Sequence, residues 1–141
     1  MSPLSISFDY HGALVVVETD DEQIVMTHPP DAPAETPASL PSSPLAPGPP
    51  VETAALRMVR DMTGLEVQIT VEFLTFIQAG TPTGTMLAHG YGARAVGGAL
   101  LEDGPEGRAR AYPVGDLPRI MPIRVANRRV LACYLEQREA D

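Results

Sequence analysis

Residues 40–65, LPSSPLAPGPPVETAALRMVRDMTGL, constrain the fold of this chain more than any other stretch. Proline spaces the first half as far as Pro50, which keeps it extended and out of helix. From Val51 the apolar residues fall at Val51, Ala55, Met58, Val59 and Met62, with Leu56 beside them, and that spacing predicts a helix. Pro50 stands where a first-turn proline belongs and Gly64 where a left-handed C-terminal cap belongs. Glu52 lies in the first turn, where the helix dipole favours a carboxylate. Met58 and Met62 are four apart on one face and read first as an apolar contact.

On the N-terminal side, Leu4, Ile6 and Phe8 alternate weakly over residues 4–9. Ala13 to Val17 is a continuous apolar run, the mark of a strand buried on both faces. Asp20-Asp21 predicts a turn, and Gln23 to Thr27 returns as a second strand, so a hairpin is expected. His28 follows it and reads as a surface or loop residue. Nine of the fifteen prolines then fall between Pro29 and Pro50. Such a segment is stiff and poor in helix and central strand, and is expected as a long loop inside one domain.

Beyond the helix, Leu65 to Ile77 alternates, with Val67, Ile69, Val71 and Phe73 against Gln68, Thr70 and Glu72. The pattern blurs at Leu74, Phe76 and Ile77, which predicts a bulge. Residues 78–84 read as a turn and Thr85 to Val96 as the next strand. Gly90 and Gly92 inside that strand mark a bulge or the close approach of another group. An acidic turn at 102–106 leads to a strand from Arg108 to Val114, and Pro122 to Arg138 reads as a closing helix with Val125, Val130, Leu131, Tyr134 and Leu135 on its apolar face.

Composition narrows the function classes. At 141 residues and 44% hydrophobic content the chain has room for a real core. A net charge of −8 argues against a nucleic-acid groove or an anionic membrane surface as partner. The single cysteine, Cys133, has no internal disulfide partner, no apolar run reaches membrane-spanning length, and the N-terminus lacks a signal pattern. A cytoplasmic protein is expected. Arg124, Arg128 and Arg129 in the closing helix either solvate a face or meet phosphate through their forked donors.

The 40–65 stretch resembles the Nudix box. Leu40-Pro41 matches its loop opening, Gly48 the glycine before its first glutamate, Ala54-Ala55-Leu56-Arg57 the start of its helix, and Val59, Thr63, Gly64 and Leu65 the end. There are departures. Ser42 and Ser43 stand in place of glycines, Pro49 in place of the first glutamate, and Met58 and Met62 in place of two helix glutamates. Asp61 remains as a shorter carboxylate. The second half is similar as well: Gly97-Gly98, the acidic turn, and Pro113-Val114-Gly115-Asp116-Leu117-Pro118 follow in the family's order, with Tyr112 where tryptophan is usual.

The resemblance implies an α/β fold, a Nudix-like α/β/α sandwich with a mixed sheet between the box helix and a C-terminal helix, in a single domain over 1–141 with a Pro-rich loop at 29–50. In the family, carboxylates hold the Mg²⁺ or Mn²⁺ that polarises a pyrophosphate, and the loop before the box lines the substrate cleft. A thioether does not serve a hard cation. Losing two charged ligands should weaken Mg²⁺ binding by roughly 10²-fold or more. No cofactor is therefore expected, unless hydrolysis survives with a metal on Asp61, helped by Glu52 and a carboxylate among Glu102, Asp103 and Glu106.

Three functions remain open at this point. The first is a Nudix-fold protein that has lost pyrophosphohydrolysis and binds a nucleotide-like small molecule or a partner protein. The second is an active hydrolase of a nucleoside diphosphate linked to another moiety. The third is a metal-free enzyme using His89 and Tyr91 as acid–base groups. The remnant catalytic positions are Arg57 and Asp61, expected to pair at i, i+4. The candidate ligand-binding residues are Glu52, Met58, Met62, His89 and Tyr91. A homodimer is a further expectation.

Overall fold

The structure, a computed structural model, describes residues 7–29, 33, 36–102, 107–117 and 125–140, without the side chains of residues 125, 126, 139 and 140. Strands β1 (Tyr10–Glu18), β2 (Gln23–His28) and β3 (Ser42–Pro44) precede helix α1 (Val51–Thr63). Strands β4 (Leu65–Thr81), β5 (Gly84–Gly98) and β6 (Arg108–Pro113), a short 3₁₀ turn at Val114–Asp116, and helix α2 (Val125–Ala140) follow.

The sheet runs β4-β5-β1-β2-β6, with β3 pairing beside β1. β1 and β5 are parallel, in register from Tyr10↔Met86 to Glu18↔Arg94, and the other pairs are antiparallel. The sheet is thus mixed, as expected, and β1 is central. Its side chains alternate between two cores. Ala13, Val15 and Val17 join Ala55, Met58 and Val59 of α1 on one face. Leu14 and Val16 join Val130 and Leu131 of α2 on the other. An apolar run serving both faces of a strand is what a central strand between two helices needs.

α1 matches the sequence reading closely. Pro50 caps it with φ −54° and ψ 145°, one position before the first helical residue, and Gly64 ends it in the left-handed conformation at φ 80°. The Gly64 N–H donates to the Arg60 carbonyl at 2.8 Å. Leu56, grouped with the apolar residues on sequence grounds, is instead 37% exposed. α2 is pinned to β1 by polar groups. The Tyr134 hydroxyl donates to Glu18 Oε1 at 2.7 Å, and Arg138 Nε donates to the same oxygen at 2.8 Å. Gly92 is needed here, since a Cβ at that position would sit 2.9 Å from the Tyr134 ring.

Several expectations are corrected. Residues 4–6 lie outside the described residues, as do 103–106 of the acidic turn and 118–124, including Arg124; Ser7 to Asp9 are not in a strand. The Pro-rich segment is more than a loop. It supplies β3, a bridge from Ser39 to Thr27, and the buried Ala38, Leu40 and Pro41. Its extended proline backbone suits short pairing at a strand flank, and the Leu40 N–H is satisfied by Asn127 Oδ1 at 2.8 Å. The β4–β5 hairpin is longer than predicted, with pairing that continues to Thr81↔Gly84.

The largest correction concerns β4. Its alternation predicts Val67, Ile69, Val71 and Phe73 on one face. Register shifts between Ile69/Val71 and Glu72/Leu74 break that parity. Val67 and Ile69 pack toward α1, whereas Phe73, Leu74 and Phe76 pack toward α2. An extra residue in one strand flips every side chain beyond it. Glu72 thereby joins the face of the sheet that carries α1.

Candidate functional site

The box-like positions do not assemble a metal centre. Met58 is 8% exposed and belongs to the α1-side core, and Met62 packs half-buried against that core. The apolar contact expected of both is present. Arg57 and Asp61 are both exposed on α1 and form no ion pair with each other; Arg57 lines a groove with Arg60 and Glu66. Glu52 is exposed in the first turn. A Mg²⁺ or Mn²⁺ ion needs several oxygen donors converging on one point. Among the described residues no group of three His, Cys, Asp or Glu is placed to hold a metal ion. Among the described residues the donor set does not fit the hard cation that the resemblance implies.

A different cluster does assemble on the α1 face. His89 Nδ1 lies 2.7 Å from Glu72 Oε2, and His89 Nε2 lies 2.9 Å from His11 Nδ1. Thr75 Oγ1 donates to the same Glu72 oxygen at 2.9 Å. Tyr91 lies parallel to His89, with ring centroids 5.9 Å apart and planes 9° apart, and Phe8 meets His11 edge-on at 4.8 Å. Burial opposes ionisation of Glu72, but hydrogen bonds from His89 and Thr75 outweigh it and hold the carboxyl below its ordinary range. Tyr91 is the reverse case. Burial first, then the charges of Glu72 and Glu52, push its hydroxyl up to about 12.

His89 and Tyr91 are therefore neighbours, as the sequence suggested, and Glu52 is near enough to act on Tyr91. Tyr91 is only 1% exposed and its hydroxyl stays protonated near neutrality, and its ring forms a platform beside His89. His11 and Glu72 escaped the sequence reading. His11 had one signal, since it shares the odd-numbered face of β1 with Ala13, Val15 and Val17. Glu72 had none, because the bulges of β4 decide its side.

A cavity of about 460 Å³ opens on the α2 side of the sheet. Tyr10, Leu14, Phe76 and Met86 form apolar walls, Ser42 and Ser43 of β3 form a rim, and Asn127 and Arg129 enter from α2. None of Glu52, Met58, Met62, His89 or Tyr91 lines it. The long β4–β5 hairpin and the β3 segment together make this space.

His28 is a further correction: it is 9% exposed at the end of β2, with Nε2 3.0 Å from the Tyr112 hydroxyl. Burial first, then the charge of Arg108, lowers its pKa from 6.5. The unfolded chain then binds a proton that the native chain resists, so stability is full above about pH 6.5 and falls as pH drops through that range. Thermal melts at pH 7.5 and 5.5 should show this acid loss, and His28→Gln should reduce the difference.

Three layers, with a mixed sheet between α1 and α2, give this chain the Nudix fold. A Nudix hydrolase from Nitrosomonas europaea superposes with a TM-score of 0.73 at 14% identity, over 96% of this chain and 75% of that one. An ADP-ribose pyrophosphatase from Streptococcus suis superposes with a TM-score of 0.66 at 16% identity, over 92% of each chain. The Nudix domain of Shewanella oneidensis NrtR, complexed with ADP ribose, does so with a TM-score of 0.66 at 13% identity, over 97% and 93%. No family model and no curated protein sequence matches the chain. Among the described residues no helix is long and apolar enough to cross a membrane.

Proposed function

We propose that this is a Nudix-fold protein that has given up metal-dependent pyrophosphohydrolysis and binds a nucleotide-like small molecule in the α2-side cavity. The observation that carries the reading is Met58, a thioether sealed in the α1-side core where the box resemblance puts a metal-ligating carboxylate. Restoring a carboxylate there means placing a charge among apolar side chains, which costs stability. The cavity supports the binding half of the reading. Its volume falls within the ordinary range for small-molecule sites, about 300–1,000 Å³. Phe76 and Tyr10 offer aromatic faces for a base, and Arg129 offers a forked donor for phosphate. Two of the similar structures, the Streptococcus suis pyrophosphatase and the NrtR domain, are described with ADP-ribose, which makes it the first ligand to try.

Isothermal titration with ADP-ribose, with and without Mg²⁺ or Mn²⁺, tests this directly. Metal-independent ligand heat with no release of AMP is the expected result. Phe76→Ala should weaken binding by roughly 10-fold, the effect of one base–aromatic stack of about 1–3 kcal/mol. AMP release that depends on Mg²⁺ would replace this reading with the hydrolase, and silence toward both metal and nucleotide would favour a partner protein.

A further inference from the structure

We propose that His11 is the general base of a second, metal-free hydrolytic site, which takes a small carboxylic ester in the cavity at the N-terminal end of α1. This inference is independent of the nucleotide-like ligand, because the two cavities share only Tyr10. It rests on a hydrogen-bond chain with a direction. Ionised Glu72 only accepts hydrogen bonds, so the Nδ1–H of His89 donates to it across 2.7 Å. Neutral His89 then has a bare Nε2, which accepts from the Nδ1–H of His11 across 2.9 Å. That leaves His11 with its lone pair on Nε2, a nitrogen with no partner among the described residues. A carboxylate behind a histidine fixes its tautomer and stabilises the cation that forms when it takes a proton; here two imidazoles in series extend that arrangement.

His11 opens into a cavity of about 420 Å³ whose other walls include Phe8, Leu45, Pro49, Val51 and Ala54. Those walls are apolar and suit the acyl and alkyl parts of an ester. Pro50 gives α1 no side-chain cap, so the first-turn N–H groups, that of Val51 among them, have no acceptor within the helix. They are suited to an oxygen that gains negative charge. Asp9 also lines this cavity, and its Oδ2 accepts from the Thr85 N–H at 2.8 Å.

In the reaction, His11 Nε2 takes a proton from water as the water oxygen bonds to the ester carbonyl carbon. The tetrahedral adduct collapses, the bond to the alkoxy oxygen breaks, and the alcohol leaves with the proton that His11 returns. No metal or redox partner is required. His11 is the catalytic residue, whereas His89 and Glu72 are positioning residues.

The test is turnover of p-nitrophenyl acetate by the full chain, followed as p-nitrophenolate release. Turnover should exceed that of an equal concentration of free imidazole, and His11→Gln should lower kcat by roughly 100-fold or more. His89→Gln and Glu72→Gln should each lower kcat by roughly 10-fold and leave KM unchanged, since neither touches the ester. A rate no higher than that of imidazole, or full activity in His11→Gln, overturns the proposal. Imidazole ¹⁵N spectra of the wild-type protein give a second readout that needs no variant. Both His11 and His89 should appear as Nδ1–H tautomers near neutral pH, and an Nε2–H tautomer at His89 overturns the relay.

Discussion

Replacing Met58 by glutamate is expected to lower the unfolding free energy by about 3–5 kcal/mol, the cost of an uncompensated charge in a core. The side chain is 8% exposed and belongs to a cluster with Val15, Val59, Tyr91 and Ala109, which offers no cation to pair with a carboxylate. A fall in Tm of roughly 10 °C or more should follow. Met58→Leu, which keeps volume and polarity, should cost less than about 1.5 kcal/mol. The same position decides the metal question. Adding Pro49→Glu and Met62→Glu to Met58→Glu should raise Mg²⁺ affinity, because three carboxylates then flank α1 and the ion neutralises the buried one. Since a ligand that binds only the native state stabilises it, Mg²⁺ should also recover part of the lost Tm. Absence of any metal effect in the triple variant would mean that the box register, and with it the reading of a lost metal site, is wrong.

Gly64→Ala should be nearly as costly. At φ 80° an alanine carries left-handed strain of about 1–2 kcal/mol. Its Cβ would also run into the Ala99 carbonyl oxygen and stand 2.8 Å from Leu101 Cγ. Those groups have little room to retreat. The Ala99 N–H donates to the Gly64 carbonyl at 3.2 Å and the Leu101 N–H to the Thr63 carbonyl at 2.8 Å, which ties the helix end to the segment after β5. Overlap of this kind adds about 1–3 kcal/mol. Gly48→Ala separates the two contributions, since Gly48 has φ 110° but nothing within 4 Å of a new Cβ. It should lose only the strain. Urea midpoints for the two variants measure the difference, and equal losses would mean that the packing at Gly64 contributes nothing.

Both predictions come from a segment that the sequence described well. The bounds of α1, its proline entry and its glycine stop depend on residues within a few positions of one another, so the linear order contains them. The same holds for β1, whose apolar run reports two buried faces without saying what covers them. The Nudix resemblance then supplied the layers, and the structure has them.

Tertiary structure decided the rest, for reasons that act over long separations. The site on the α1 face joins His11 to His89 across 78 positions through the parallel register of β1 and β5. Nothing near either histidine encodes that register. Glu72 reaches His89 only because bulges in β4 reverse the face that simple alternation assigns. The polarity of the Met58 environment is likewise collective, set by strands that precede and follow α1 in the chain, and so is the α2-side cavity, which needs β3, the β4–β5 hairpin and α2 together. Local periodicity and capping fixed the helices and the central strand. Register, strand parity and packing, which sum weak contacts between distant segments, fixed where the chemistry of this chain is placed.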